Sequence, residues 1–343
     1  MDAIARTFGE TRMESTRSRS GAFSNKAEYR KLCEKESSIP IFSTAWWLDA
    51  VVGPDNWDVV LVKKNEQIVG AMPFAIVRRV GMEVILQPPL TPMLGPWIQT
   101  EDMSTRTRLN NEQKIMQALI EQLPRFDHFR QTLNKNVSNW LPFYWNGFSQ
   151  TTEYTYVIPA LHDLDRLWKE IESERRNKCR QATERYHLHI RSDLPLDDFL
   201  ALHKMSLANR GVSQSFSDDC LHRIDAACVE HNCRRINIVV DETGRHLAGT
   251  YTVWDSHCAY ALINGADPKL RHTGAPTFCA WETIRFCSTV APKFDFLGNM
   301  NPTIEPYVRS FASEQTPIFT ISKTPSRLLR LRQGLRSAMS SAH

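Results

Sequence analysis

Apolar positions along the chain fall into two rhythms. Trp57–Lys64 and Gln67–Arg79 are rich in β-branched and aromatic residues. Asn65 and Glu66 separate them, a spacing that predicts an antiparallel hairpin. Met82–Gln87 reads as a further strand. Residues 88–97 (PPLTPMLGPW) form a loop too apolar to be a free linker, so it is expected to pack on a core or line a cleft. Glu28–Lys35 reads as a short helix, and Ser43 or Thr44 is placed to cap a second one carrying Trp46 and Trp47. In Asn111–Leu123 the residues Ile115, Leu119 and Leu123 recur at helical spacing. His128–Leu133 and Thr151–Ile158 read as strands on either side of the aromatic stretch Trp140–Phe148.

The second half repeats the mixture in a different order. Asp165–Glu184 reads as one charged helix, followed by helices at Leu196–Asn209 and Asp218–His231, the latter capped by Ser217 or Asp218. Arg235–Val240, Leu247–Trp254 and Cys258–Ala266 form a β-meander, with Asp241–Gly244 as its first turn. A loop, the helix Ala275–Val290, the strand Phe294–Leu297, a short helix at Ile304–Ser310 and the strand Pro317–Ser322 complete the pattern. Both halves thus hold a hairpin flanked by helices. The reading is a mixed α/β protein of two lobes, 26–155 and 156–325. An N-terminus at 1–25 reads as disordered by composition, and a basic tail occupies 326–343.

Composition narrows the class. The chain has 343 residues, 42% hydrophobic and 23% charged, enough for two domains. Its 42 basic and 38 acidic residues leave a net charge of +4, which gives no DNA-binding footprint. No run reaches the ~18 apolar residues that span a bilayer. The N-terminus lacks the apolar core of a signal peptide, so a cytoplasmic enzyme is expected, or one peripheral at the inner face of the membrane. Eight cysteines occur without a C-x-x-C pair or a histidine partner at zinc spacing, so no metal site is expected. The histidines His203, His222 and His231 form no metal or hydrolase pattern and read as ordinary residues.

The segment Asn264–Pro276 (NGADPKLRHTGAP) links a strand to the helix carrying Trp281-Glu282-Thr283. It is followed by Phe294-Asp295-Phe296-Leu297-Gly298 and by Tyr307-Val308-Arg309-Ser310-Phe311-Ala312. With Phe42-Ser43-x-x-Trp46 and Leu94-Gly95-Pro96-Trp97, this order over residues 38–325 resembles the GNAT acyltransferases related to the FemAB peptidyltransferases. The resemblance implies two GNAT-like lobes with the donor loop on the second. Against the family's phosphate-loop pattern, Arg271-x-x-Gly274-x-Pro276 ends in proline, which removes an N–H that would bind phosphate. Ala312 stands where the family commonly has glycine, and Leu297 where an acidic residue is common.

The resemblance also implies the chemistry. A thioester or aminoacyl ester is already activated, so the enzyme positions the nucleophile, takes its proton and stabilises an oxyanion. By resemblance, Asn264, Gly265, Arg271, Gly274 and Ala275 are the donor-binding candidates, with acetyl-CoA as co-substrate. The alternative is a plain strand-to-helix turn punctuated by glycine. Asp295 faces away from Phe294 and Phe296. It is either a general base, or acceptor-orienting group, or a strand-end carboxylate paired with a nearby Arg. Glu305 and Tyr307 are the other catalytic candidates, Tyr307 as the acid for the leaving thiolate or else as packing. Arg309 is an anion clamp or a salt-bridge partner. Arg176 belongs to the cluster Arg175–Arg185, a solvated face or a phosphate site. Trp46 completes the substrate-binding candidates. The implied reaction is acetyl transfer to an amino or hydroxyl group of a sugar or envelope precursor. The alternatives are aminoacyl-tRNA-dependent peptidyl transfer, disfavoured by the absence of a heptad run, and non-catalytic binding of an envelope polymer.

Overall fold

The computed structural model describes residues 25–330, apart from 80, 100–103, 299 and 328. The first half supplies α1 (Lys26–Lys35), a 3-10 turn (Ile41–Ser43), α2 (Ala45–Val52), β1 (Trp57–Lys64), β2 (Gln67–Arg79), β3 (Met82–Leu86), β4 (Trp97–Ile98), α3 (Thr105–Glu121), β5 (His128–Thr132) and α4 (Leu141–Trp145). After β6 (Ser149–Ile158) come α5 (Leu164–Glu170), α6 (Ser173–Glu184), β7 (His189–Arg191), α7 (Leu196–Asn209) and α8 (Asp218–Glu230). Then follow β8 (Arg234–Val240), β9 (His246–Trp254), β10 (Ala259–Ala266), α9 (Ala275–Cys287), β11 (Phe294–Asp295), α10 (Glu305–Arg309) and β12 (Glu314–Lys323). Residues 1–24 of the expected N-terminal segment, and 328 and 331–343 of the expected basic tail at 326–343, lie outside the described residues.

The predicted hairpin is present, with β1 antiparallel to β2 from Trp57↔Ala75 to Lys64↔Gln67. Both turn residues are left-handed, Asn65 at φ 49° and Glu66 at φ 63°, the geometry whose twist matches the flanking strands. The proline-rich loop packs inward as its composition requires, with Met93 and Leu94 buried. α3 begins earlier than its apolar stripe, because Ser104 accepts a bond from the Thr107 amide and starts the helix ahead of the first buried position. The single helix expected at 165–184 is two. Ile171 and Glu172 are extended between them; Ile171 is buried, and the Glu172 amide donates to the Ser310 carbonyl at 3.0 Å. A tertiary contact overrides a continuous helical propensity there.

The strands form one mixed sheet in the order β1-β2-β3-β5-β12-β6-β11-β10-β9-β8-β7, with β4 beside β2. The last strand, β12, returns to lie between β5 and β6, antiparallel to both. The two halves therefore meet edge to edge across β6 and β12. A shared core adds to this: Phe42, Trp47 and Leu48 of the first half join Phe199, Tyr251 and Tyr260 of the second. Phe42 and Tyr260 have ring centroids 4.9 Å apart. A separate cluster around Phe129, Phe143 and Phe148 packs beneath α3 and α4. On the other side α9 and α5 lie on the sheet, with Trp168 and Trp281 tilted at 4.6 Å.

Candidate active site

The opening in the sheet is at β10. Its pairing with β9 shifts register between Ala261 and Ile263, so Leu262 is a bulge. On its other edge β10 runs parallel to β11 for two pairs only, Ala259↔Phe294 and Tyr260↔Asp295. The chain then turns away. Leu297 and Gly298 are left-handed, at φ 55° and 70°, and the Phe296 amide donates to the Tyr156 carbonyl of β6 at 3.0 Å. β11 is therefore shorter than the predicted Phe294–Leu297, because its continuation follows β6 and leaves β10. From Ala261 onward that edge of β10 has no strand beside it among the described residues.

Two side chains mark the open edge. Asn264 is exposed within an otherwise largely buried strand. Its Oδ1 accepts from the Thr250 hydroxyl at 2.9 Å, which leaves the Nδ2 hydrogens as outward donors. Across the sheet face, Nδ1 of His203 donates to the Asn264 carbonyl at 2.9 Å. That bond fixes the tautomer and leaves Nε2 as the acceptor. The His203 ring lies near-parallel to Phe199 and Phe216. Burial, the largest influence, holds its pKa below the ordinary histidine value, so it is neutral at pH 7. Nothing in the local sequence marks His203; its placement follows from α7 lying directly on Gly265. A Cβ built at Gly265 would sit 2.6 Å from the His203 amide nitrogen.

The expected phosphate loop has a different arrangement. Residues Pro268–Thr273 form a 3-10 turn, and Gly274 is left-handed at φ 83°. The Gly274 amide donates to the Arg271 carbonyl at 3.2 Å, and the Ala275 amide to the Thr273 hydroxyl at 3.3 Å. Pro276 has no amide. The donors that would cradle a pyrophosphate at 274–276 are thus taken internally or missing. A Cβ at Gly274 would lie 2.5 Å from the Lys178 carbonyl oxygen, so α6 is seated against the loop. Gly274 and Gly265 are glycines because helices press on them at backbone distance. In this conformation the amides of Gly274 and Ala275 both have internal acceptors. What remains outward is cationic: Arg271 and Lys269 are exposed, and Arg176 and Lys178 are half-buried on α6. The Nε of Arg176 is buried without a partner.

α10 closes one side. The Tyr307 hydroxyl donates to the Pro276 carbonyl at 3.1 Å in the first turn of α9, and burial raises its pKa well above the ordinary value. Arg175 lies over the Tyr307 ring at 5.3 Å and donates to the Ser310 hydroxyl at 3.0 Å. Glu305 Oε1 accepts from Tyr156 at 2.8 Å and from Arg309 at 2.9 Å, and Gln315 donates to the Tyr156 hydroxyl at 2.9 Å. Arg309 is mostly exposed, at 60% of its side-chain surface.

Asp295 ends β11, where the chain leaves β10. It is fully buried. Oδ1 accepts from the Leu297 amide at 2.8 Å and from the Thr155 hydroxyl, and Oδ2 from Lys135 Nζ at 2.6 Å. Lys135 also reaches Cys258 Sγ at 3.3 Å and lies 5.2 Å from the centre of the Tyr260 ring. Burial works against the Lys135 ammonium, but Asp295 and Cys258 outweigh it and its pKa is raised. This is an ion pair that ties the first half to β11, the strand beside β10. Among the described residues, no three His, Cys, Asp or Glu side chains are grouped to hold a metal ion.

Residues 169–307 match the family model described as an acetyltransferase (GNAT) domain. Among solved structures, the chain is similar to FemX at 12% identity and a TM-score of 0.64, covering 90% of this chain and 98% of that one. Residues 169–307 form a GNAT domain, and the chain as a whole shares the fold of FemX. The domain match also makes it an acyltransferase. Similar folds include a conserved protein of unknown function from Bacteroides thetaiotaomicron, at 10% identity and a TM-score of 0.55, covering 87% of this chain and 96% of that one. The C-terminal domain of a putative lysylphosphatidylglycerol synthetase from Agrobacterium fabrum follows, at 11% identity and a TM-score of 0.51, covering 87% and 92%. No curated protein matches the chain.

In this GNAT fold, Asn264, Gly265, Arg271, Gly274 and Ala275 fall on one strand-loop-helix, and Tyr307 reaches it through Pro276. Arg176 lies on the helix packed against that loop, and Glu305 and Arg309 pair on α10. Trp46 is not among them. It stacks on His231, which caps the C-terminus of α8, at 4.3 Å and 20°, where α2 packs against the second half. That contact gives its aromatic ring a role in lobe packing. Lys135, Tyr156, His203 and Gln315 had no signal in the local sequence, since each acquires its partner from a distant segment.

Proposed function

We propose that the protein transfers an acyl group from a thioester donor, in the first instance acetyl-CoA, to an amino or hydroxyl group of a sugar or other envelope precursor. The observation that carries this reading is the open edge of β10 beyond the Leu262 bulge, with Asn264 exposed on it. Strand groups left unpaired there, with Asn264 Nδ2, are donors aimed at a developing oxyanion. His203 Nε2 is the candidate acceptor for the nucleophile's proton, directly or through one water. Tyr307 is the candidate to return a proton to the leaving thiolate if its hydroxyl leaves Pro276. Asp295 acts in this scheme by holding the chain where it departs from β10. No helix among the described residues is long and apolar enough to cross a membrane. A cytoplasmic site of action, peripheral to the inner membrane face, fits an envelope-precursor acceptor.

A second reading is favoured by the closed amide cradle. With 274–276 unavailable, donor phosphates would be gripped by the side chains of Arg176, Lys178 and Arg271. Such a grip also suits the phosphates of an aminoacyl-tRNA. Calorimetric titration of the purified protein with acetyl-CoA and with a charged tRNA separates the two readings; binding of neither contradicts both.

Two outcomes are expected under the first reading. Asn264→Trp fills the open edge without touching the core, so acetyl-CoA affinity falls by about tenfold or more, roughly 1.4 kcal/mol, at an unchanged melting temperature. Unaltered affinity in the folded variant removes the cleft from the scheme. His203→Gln keeps a donor to the Asn264 carbonyl but abolishes the base, so turnover falls by about 10²–10⁴-fold. In the wild type, protonation switches off this base as pH falls through a pKa below the ordinary histidine value. The acid limb of the rate profile therefore lies there and disappears in the variant. An identical limb in His203→Gln assigns it to another group.

A further inference from the structure

We propose that the corner of the first lobe formed by α4 and the end of β12 docks on an anionic lipid bilayer. α4 presents Leu141, Tyr144 and Trp145 to solvent at 43%, 60% and 59% exposure, and Leu109 of the neighbouring α3 is 44% exposed. These side chains stand on a rigid base. Phe143, between them in sequence, is fully buried, and its ring meets Phe148 edge-on at 5.3 Å. The exposed aromatics are therefore held outward while their own helix is anchored in the core.

Charge completes the surface. Residues 128–152, which include α4, contain no Asp or Glu. Residues 315–343 contain none either, and carry Lys323, Arg327, Arg330, Arg332 and Arg336. The fold brings the end of β12 against α4: Lys323 Nζ donates to the Asn146 carbonyl at 2.7 Å, just past α4, and lies 5.0 Å from the Phe148 ring centre; of the arginines that follow, Arg327 and Arg330 are described and exposed. Acids border this corner too: Glu121 accepts from Gln117 and lines the same groove as Trp145, Glu112 pairs with Arg108, Glu153 pairs with Arg130 and accepts from Thr320, and the Asp127 carbonyl accepts from the Ser326 amide. The corner thus pairs Trp and Tyr rings with Lys323 and the basic residues that follow it in sequence.

Four side chains fall short of the ~800 Å² per partner that a stable protein interface buries. Amphipathic rings beside several cations suit the headgroup region of a bilayer, where the rings sit at the boundary and the cations meet anionic lipid. The inference is independent of which acyl donor the cleft takes.

Co-sedimentation of the full chain with vesicles tests it. At low salt the protein is expected to pellet with equal parts phosphatidylglycerol and phosphatidylcholine, to stay in solution with phosphatidylcholine alone, and to be released by high salt. Tyr144→Ser with Trp145→Ser, and separately Arg327→Glu with Arg330→Glu, should each weaken anionic-vesicle binding by about tenfold or more with the melting temperature retained. Trp145→Gln alone replaces the first pair if that variant misfolds. Failure to pellet with anionic vesicles overturns the proposal, as does full binding by the folded aromatic variant. A concentration-dependent dimer abolished by the same aromatic substitutions, without vesicle binding, overturns it in favour of self-association.

Discussion

Replacing Asp295 with alanine is expected to destabilise the protein by about 3–5 kcal/mol at pH 7, read as a lower denaturation midpoint in urea. The side chain is fully buried and accepts bonds from Lys135, Thr155 and the Leu297 amide. Its removal leaves the Lys135 ammonium, itself only 12% exposed, without its carboxylate partner in a low-dielectric setting. The same loss frees the left-handed turn at Leu297, where a branched side chain is already unfavourable. Asp295→Asn retains an oxygen for Thr155 and Leu297 but not the charge, so its cost is intermediate. Lys135→Met combined with Asp295→Leu removes both charges and is expected to recover much of the stability. The sequence alone suggests that Asp295→Asn slows turnover at an unchanged melting temperature. The ion pair predicts a changed melting temperature, and an unchanged one would return Asp295 to the list of proton carriers.

The second large effect is at Gly274. Read from the loop pattern, Gly274→Trp would block donor phosphates while the fold persisted. The structure reverses that outcome. The residue is at φ 83°, and a Cβ would stand 2.5 Å from the Lys178 carbonyl oxygen, which belongs to helix backbone and cannot rotate aside. A left-handed non-glycine residue costs ~1–2 kcal/mol and overpacking a further ~1–3 kcal/mol. Gly274→Trp is therefore expected to lose about 3 kcal/mol or more, and Gly274→Ala somewhat less. Thermal unfolding followed by circular dichroism measures it. A Gly274→Ala protein as stable as wild type would mean that α6 can lift from the loop, and would restore the loop as a phosphate cradle.

What the sequence by itself determined is local. The hairpin at Asn65-Glu66, the meander from 234 to 266 and the helices at 196–209, 218–230 and 275–287 were legible, because apolar period and turn chemistry act between near neighbours. The order of motifs from Asn264 to Ala312 was enough to recognise the GNAT resemblance and the acyltransferase class. Tertiary structure decided the rest. The break at Ile171-Glu172 comes from a bond to Ser310, and the two-residue length of β11 from its continuation along β6. The partners of Asp295 lie 160 residues away at Lys135 and 140 away at Thr155. His203 meets Asn264 across 61 residues. No local period encodes such pairs, since a charge or imidazole takes its role from what burial places beside it. Gly274 shows the same limit: glycine there reads as freedom to approach a phosphate, but the backbone that approaches it is a helix of its own chain.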